Sequence, residues 1–487
     1  MITYTIWAGV FLLFLVWVSL RLGRMSGRHR FDQWLEGIEK PWGMKLSESS
    51  YSFRRGTTRD ADEPKRNITL VAPFGICKKM TVWSRMVPLA DTLLARGHDV
   101  TLLIPPWDCP DRSGEHLSIA DLEVIYARLS WWRPRWADPI LLSRVWKDVR
   151  STDANLVYCF KPIGYSGAIA LLMHVARKLG MVDPKIMIMV DTDDLEGGKG
   201  WGRRTKRGLL AGVQEQLVVR LADAVSCASQ ELVRITSRWR GSSDSVFWLP
   251  NGTSPAVWGS TSNCRIQPEM PERVARAIDR VRKLRARNKL LLYTRFAEFD
   301  SDRLAEIIIR VDEEVEDLVL LTVGESVDVE SRREKYRLME LLKERGMDPR
   351  RVVLAGWIPQ PWADDVFNCA TVGLYPVDES EITKTKSYVR AVEMMYHKIA
   401  LVADAVGDLP LLLEEGAGVV IPEKGQDKEF ARQIVELLRN PDKARSIGER
   451  ARERVERQYL WEEIYASHLR PRLLGVDPLV TASRAAD

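Results

Sequence analysis

The chain is 487 residues long, 45% hydrophobic and 29% charged, a length that allows about two to four domains. Its net charge of +5 and its pI near 8.8 are too mild to indicate a nucleic-acid-binding protein. The six cysteines are scattered without a C-x-x-C pair. The sequence therefore indicates neither a zinc site nor a disulfide framework, and we interpret the cysteines as reduced thiols of a cytosolic domain.

Residues 2–20 are uncharged and almost wholly apolar. About 20 such residues cross a bilayer as a helix. No basic residue precedes the segment and four arginines follow it closely, so the positive-inside rule places the rest of the chain in the cytoplasm. We therefore predict a single-pass membrane anchor at residues 1–22 and a basic juxtamembrane connector at residues 23–66, with the globular domains on the cytoplasmic face. The alternative is a buried N-terminal helix.

The first globular half opens with a strand at residues 67–73, a loop containing Gly75, a helix at 81–96 and a second strand at 100–104. This order is typical of a doubly wound α/β domain. We predict that the N-terminal domain is Rossmann-like and covers residues 67–262.

An aromatic and basic stretch lies between residues 131 and 146, and it contains Trp131, Trp132, Arg133, Arg135, Trp136 and Trp146. Such amphipathic side chains favour a membrane interface. A tryptophan-rich core helix is the alternative. Together with the predicted anchor, the stretch suggests a face that admits a lipid-borne acceptor.

Carboxylates follow the strand predicted at residues 185–190, and they are Asp191, Asp193, Asp194 and Glu196. Lys161 ends another predicted strand, at residues 154–160. So many carboxylates at a strand end need a cation or a hydroxyl-rich ligand, or raise one another's pKa values. Because the carboxyl ends of strands line the crevice of an open α/β sheet, we predict that these five residues serve catalysis on the acceptor side. A solvated loop with helix-capping aspartates is the alternative.

The second half alternates predicted strands with helices, beginning with an arginine-rich helix at 271–288 and a strand at 289–293 that leads to Arg295. We predict a second Rossmann-like domain over residues 271–455, and a crossover helix and tail over 456–487. The fork of an arginine matches phosphate oxygens, so Arg295 is a candidate diphosphate ligand. A surface ion pair is the alternative.

Residues 388–421 form one βαβ-like unit of this second domain: a helix with Glu393, a strand at 399–403, a second helix and another strand. Lys384, Lys386 and Ser387 precede the Glu393 helix. A helix N-terminus with two lysines is a site for an anion. We predict that these three residues hold a diphosphate and that Glu393 holds ribose hydroxyls.

The order and spacing of these pieces resemble the GT-B glycosyltransferases, in particular the retaining family 4. The pieces are the Gly75 loop, RGHDV at 96–100, LPNGT at 249–253, Arg295, GWIP at 356–359 and the Glu393 helix. The resemblance implies an α/β protein of two Rossmann-like domains facing across a cleft. It also implies a nucleotide-sugar donor, with Arg295 and Lys386 at the diphosphate, Glu393 at the ribose and Gly75 at the donor's approach.

The chain departs from the family pattern at three positions. The family often has two glutamates with seven residues between them. Thr385 stands at the place of the first glutamate, so we assign the sugar hydroxyls to Glu381. Asp300 stands where a lysine often follows the family arginine, and Phe160 stands where some members have a histidine.

These observations predict a membrane-anchored glycosyltransferase, of the hexosyltransferase kind, that moves a sugar from a UDP- or GDP-sugar to a lipid-linked or membrane-associated glycan, with retention. They imply no cofactor and leave a divalent metal open. The alternatives are a nucleotide-sugar epimerase of the same fold and a non-catalytic, membrane-held partner of another transferase.

Overall fold

The computed structural model describes residues 63–75, 81–107, 109–119, 121–129, 138–197, 200, 206–254, 270, 272–283, 288–326, 329–358, 362–422 and 425–475. The predicted anchor, almost all of the connector, and Trp131, Trp132 and Trp136 lie outside these ranges. Among the described residues, no helix has both the length and the apolarity that a membrane span requires.

The chain divides into two compact units. The first unit comprises the chain up to Asn251, the segment Thr385–Ser387 and the chain from Ile464 onward. The second unit comprises Gly252–Lys384 and Tyr388–Glu463. We predicted the C-terminal crossover from residue 456, but the helix Pro441–Gln458 stays with the second unit and the return begins at Ile464. The assignment of Thr385–Ser387 to the first unit was not predicted.

The first unit contains an eight-stranded sheet. Its strands are β1 Asn67–Val71, β2 Asp99–Ile104, β3 His116–Ile119, β4 Leu122–Tyr126, β5 Leu156–Phe160, β6 Met187–Thr192, β7 Ala224–Cys227 and β8 Val246–Trp248. Their order is β3-β4-β2-β1-β5-β6-β7-β8, and among the described strands only β3 and β4 pair in antiparallel fashion. The residues of β5 and β7 are all buried, as expected for parallel strands covered by helices on both faces.

Helices connect and cover these strands. They are the π-helical turn Val82–Met86, Val87–Ala95, the 3-10 turn Pro110–Arg112, Pro139–Ser151, Gly164–Lys178, Lys206–Leu221, Gln230–Arg240, and the returning turns Tyr465–Leu469 and Arg470–Leu473. The order of the sheet reverses between β1 and β5, which pair directly. Gly75 follows the first of these two strands and Lys161 the second, so both lie at the topological switch point where such sheets bind ligands.

The described part of the aromatic and basic stretch forms the helix Pro139–Ser151. Asp138 caps this helix by accepting a hydrogen bond from the Ile140 amide (2.8 Å). Leu141 and Val145 are buried in the core and Trp146 packs against it, while Ile140 is exposed. For this part of the stretch the structure has the core helix that we considered as the alternative to a membrane face.

The second unit contains a six-stranded, wholly parallel sheet. Its strands are β9 Lys289–Tyr293, β10 Val319–Val323, β11 Val352–Gly356, β12 Val372–Tyr375, β13 Ala400–Asp404 and β14 Val419–Ile421. Their order is β11-β10-β9-β12-β13-β14, which is the 3-2-1-4-5-6 order of the Rossmann fold. The switch point therefore lies between β9 and β12.

The helices of the second unit pack on both faces of this sheet. They are Glu272–Lys283, Ser301–Glu314, Val329–Glu344, the 3-10 turn Pro349–Arg351, Ala363–Phe367, Glu381–Lys384, Val389–Tyr396, Leu409–Leu412, Asp427–Arg439, Pro441–Gln458 and Trp461–Ile464, whose last residue belongs to the first unit. Asp300 caps the helix Ser301–Glu314 by accepting hydrogen bonds from two backbone amides. The residue that departs from the family's lysine is thus a helix cap.

Candidate active site

The loop after β9 carries Arg295 and has an unusual backbone. Phe296 and Glu298 adopt φ angles of +57° and +83°, a region that residues other than glycine rarely enter. Backbone bonds hold the loop in place: the Thr294 amide donates to Val323 O and the Asp378 amide donates to Glu298 O, each at 2.8 Å. Strain of this kind persists where the surroundings enforce it, which is common at functional sites.

Gly324 supports the same loop from the neighbouring strand. Its φ is +101°, and a Cβ at this position would lie 2.0 Å from Thr294 O. We expect Gly324→Ala to lower the free energy of unfolding by about 2–5 kcal/mol, because backbone strain and a backbone clash add. Gly346→Ala is the matched control, since Gly346 has φ +100° and open space around its Cβ position. Chemical denaturation of both variants measures the difference, and equal losses would contradict a role for Gly324 in seating the loop.

Two arginines converge on Glu298. Arg295 Nη2 donates to Glu298 Oε1 (3.1 Å) and Arg390 Nη2 donates to Glu298 Oε2 (2.8 Å). Arg390 lies on the helix Val389–Tyr396, three residues before Glu393, and its Cζ is 5.9 Å from the centre of the Tyr375 ring. Two guanidinium groups, one after β9 and one close to the end of β12, therefore share one carboxylate.

Glu393 completes this group one helical turn beyond Arg390. It hydrogen bonds with the Tyr293 hydroxyl, while its Oε2 is buried with no hydrogen-bond partner among the described residues. Burial raises the pKa of Glu393 to about 7, against the opposing effects of the Tyr293 bond and the charge of Arg390. A buried carboxylate oxygen without a partner is costly and is suited to accept a hydrogen bond from a ligand.

We predicted that Lys384, Lys386 and Ser387 stand at the N-terminus of the Glu393 helix, and the structure arranges these residues differently. Lys384 ends its own short helix, Glu381–Lys384, and its Nζ pairs with Glu379 Oε1 (2.6 Å) near solvent. The helix with Glu393 begins only at Val389, so Lys384, Lys386 and Ser387 do not form its first turn. Glu381 is exposed at the start of the short helix.

The intervening segment Thr385–Ser387 is anchored in the first unit. Ser229 Oγ donates to Thr385 O (2.8 Å), and the Asn251 amide donates to Ser387 Oγ (2.9 Å). Lys386 is buried within this segment. The predicted donor ligands therefore fall into two groups, with Arg295 and Glu393 in the second unit and Lys386 and Ser387 in the first.

Lys161 gathers three of the four predicted acidic residues. Its Nζ lies 2.9 Å from Asp193 Oδ1 and 3.3 Å from Asp194 Oδ2, and it also pairs with Glu196 Oε1. Lys161 has φ +61° and is buried. Burial opposes its charge, but the three carboxylates raise its pKa well above the usual value. Burial raises the pKa of Asp193 to about 7, even though Lys161 acts in the opposite direction.

One ligand oxygen from each of Asp193, Asp194 and Glu196 lies within 4.8 Å of the others, a spacing that would suit a divalent cation. The Lys161 ammonium already supplies a positive charge to all three carboxylates. The cluster is therefore a lysine surrounded by an excess of carboxylates, at the switch point of the first sheet.

Helix Lys206–Leu221 holds the loops that carry this cluster. Glu215 accepts hydrogen bonds from the Glu196 and Gly197 amides (3.1 and 2.8 Å), and Gln214 pairs with both the amide and the carbonyl of Gly164. Burial raises the pKa of Glu215 to about 8. Sequence reasoning did not find this support, because its residues lie some distance along the chain from the loops they hold.

Asp191 is separated in function from the other acidic residues. Its two carboxylate oxygens accept hydrogen bonds from Arg85 Nη2 (2.6 Å) and Nε (2.7 Å), and Ser226 Oγ also donates to it (2.6 Å). Arg85 further donates to Leu249 O and Asn251 Oδ1. Both members of the ion pair are fully buried. Asp191 therefore fixes the framework next to Asn251, and its side chain is engaged away from the Lys161 cluster.

Each half of the chain matches a family model. The "Glycosyl transferase 4-like domain" matches residues 81–252, and "Glycosyl transferase-like" matches residues 329–470. The chain is a glycosyltransferase. Among curated proteins, no sequence match reaches significance.

Solved structures support the fold of this glycosyltransferase. Sucrose-phosphate synthase from Thermosynechococcus elongatus has a TM-score of 0.59 at 18% identity, covering 87% of this chain and 100% of its own. HepE from Anabaena, in complex with UDP and glucose, has a TM-score of 0.59 at 13% identity, covering 82% and 97%. WaaG, a glycosyltransferase involved in lipopolysaccharide biosynthesis, has a TM-score of 0.57 at 15% identity, covering 84% and 100%. The predicted two-domain GT-B fold is confirmed.

Proposed function

We propose that this glycosyltransferase moves a sugar from a UDP- or GDP-sugar to a lipid-linked or membrane-associated glycan, with retention at the anomeric carbon. The observation that carries the donor side is Glu393 Oε2, which is buried without a hydrogen-bond partner among the described residues. Glu393 lies one helical turn beyond Arg390, which shares Glu298 with Arg295. Ribose hydroxyls would satisfy that oxygen, and a diphosphate would neutralise the arginines. HepE from Anabaena, which holds UDP, supports a uridine nucleotide as the first donor to test.

Chemistry on the donor requires stabilisation of a departing nucleoside diphosphate. Arg295 is the partly exposed guanidinium of the site and would bind this leaving group electrostatically. In the retaining reaction that we propose, the acceptor oxygen bonds to the anomeric carbon on the face from which the phosphate leaves. The acceptor proton passes to the departing phosphate oxygen, so no protein nucleophile is needed.

The acceptor side would use the cluster of Lys161 with Asp193, Asp194 and Glu196 in the first unit. Its excess of carboxylates favours sugar hydroxyls, which donate hydrogen bonds to ionised oxygens. It disfavours a phosphorylated acceptor by repulsion. WaaG, which is involved in lipopolysaccharide biosynthesis, and the apolar segment at residues 2–20 support a membrane-associated acceptor.

The first experiment is a thermal-shift panel of the full chain with UDP, GDP, ADP and their common sugar conjugates. A true donor at 100 times its Kd adds about 2.7 kcal/mol of stability. The best donor is then incubated with membrane lipid extract, and the anomeric configuration of the product is measured by NMR. Absence of any nucleotide-dependent shift would overturn the proposed function, and release of an epimerised sugar without an acceptor would identify an epimerase instead.

A further inference from the structure

Glu298 is the residue on which the charges at the ends of β9 and β12 converge. It accepts from Arg295 on one oxygen and from Arg390 on the other. The two ion pairs differ in burial: the side chains of Glu298 and Arg390 are 6% and 13% exposed, whereas that of Arg295 is 39% exposed. The ion pair of Glu298 with Arg390 is therefore shielded from water, and the ion pair of Glu298 with Arg295 faces water.

The backbone holds Glu298 in this position at a conformational cost. Its φ of +83° is unfavourable for a residue with a side chain. Its carbonyl accepts from the Asp378 amide (2.8 Å), which ties the loop after β9 to the loop after β12. The backbone of the fold consequently holds the Glu298 carboxylate between the two arginines.

We infer that Glu298 is a placeholder for the donor diphosphate. A carboxylate and a phosphate offer a guanidinium the same kind of acceptor oxygens. On donor binding, Arg295 leaves Glu298 for the diphosphate, while Arg390 stays on Glu298. Because the carboxylate competes for Arg295 and also repels the phosphates, it weakens the binding of nucleoside diphosphate and speeds its release after transfer. This inference rests on the proposed function.

Glu298→Gln tests the placeholder, since it keeps the side-chain size and removes the charge. In this variant Arg295 no longer gives up a charged hydrogen bond to Glu298 when it binds the diphosphate. We therefore expect the Kd for UDP, or for GDP if that is the nucleotide bound, to fall about ten-fold. The KM for the donor should fall and kcat should fall with it, because release of the product slows. Titration calorimetry and product-inhibition kinetics measure these changes.

Asp312→Asn is the matched control, because it removes one carboxylate from an ion pair in the same unit. Asp312 pairs with Arg351 (2.5 Å), which lies just before the amino-terminal end of β11, whereas Arg295 lies beyond the carboxyl end of β9. This variant should leave nucleotide affinity and kcat unchanged. If removal of a charge acts only on stability, Glu298→Gln and Asp312→Asn should both change the free energy of unfolding, and neither should bind nucleotide more tightly than the wild type.

A crystal structure of the wild-type chain with UDP or GDP tests the same inference without a variant. Arg295 is expected on the diphosphate, with Arg390 still on Glu298. A wild-type chain that binds no nucleotide would overturn the proposed function and this inference together. If the wild-type chain binds the nucleotide, either of two results would overturn the inference alone. One is a complex in which Arg295 is still paired to Glu298, and the other is equal or weaker nucleotide binding by Glu298→Gln.

Discussion

Glu393→Ala is expected to lower kcat/KM for the donor about 100-fold, because it removes a charged acceptor for the ribose hydroxyls. The fold should not suffer, since the variant removes a carboxylate whose Oε2 is buried without a partner among the described residues. Steady-state kinetics together with thermal denaturation separate these two effects. Glu436→Ala is the control, as it removes an exposed helical glutamate paired with Lys443 in the same unit.

The pH dependence of donor binding gives this prediction a second readout. Burial raises the pKa of Glu393 to about 7, so this group favours the folded state most below its unfolded pKa and loses that contribution as the pH rises through 7. Ribose hydroxyls donate to the ionised form, so donor affinity should fall as the pH drops from 8 to 6. The titration should be flat in Glu393→Gln. Full activity and unchanged donor affinity in Glu393→Ala would remove this residue from the site.

The fold was largely predictable because its parallel strands are continuous apolar runs. The predicted strand at residues 289–293 has the observed bounds, and the alternation of strands and helices in the second half is observed throughout. The hairpin of β3 and β4 was missed. Its strands are only four and five residues long, and both contain exposed and half-buried positions. Neither strand is therefore a long, continuously buried apolar run that the sequence would reveal.

The position of a candidate site residue was predictable where that residue closely follows a strand. Arg295 and Lys161 are examples, because chain order alone places them at the switch points. The partners of these residues were not predictable in the same way. Glu298 contacts two arginines from a backbone with positive φ, and no local pattern indicates that conformation in a glutamate. Arg390 did offer a signal, since it lies three residues before Glu393 on the same helix.

Lys386 illustrates a different limit. The local sequence, with two lysines before a helix, predicts an anion site at the helix N-terminus. The structure instead ends one helix at Lys384, begins the next at Val389 and anchors the residues between them through Ser229 and Asn251 of the first unit. These hydrogen bonds join residues more than a hundred positions apart in the sequence, so the spacing of residues within one helix cannot predict them. The role of Lys386 at a diphosphate stays a prediction.

Breaking the buried ion pair between Arg85 and Asp191 is expected to have the largest effect on stability. Arg85→Met should lower the free energy of unfolding by about 3–5 kcal/mol, because it leaves the Asp191 charge buried with Ser226 as its remaining side-chain donor among the described residues. Burial opposes the Arg85 charge, yet Asp191 raises the arginine's pKa, so Arg85 is positively charged over the whole practical pH range.

The double variant Arg85→Met with Asp191→Asn distinguishes an ion pair from two independent packing residues. Because each single variant leaves an unpaired buried charge and the double variant leaves none, the double loss should be smaller than the sum of the single losses by about 2–3 kcal/mol. Denaturant unfolding of the four proteins closes the cycle. Strict additivity would mean that the charges do not interact. The same measurements on Arg177→Met and Asp223→Asn, a more exposed bidentate pair in the first unit, should give a coupling of at most about 1 kcal/mol.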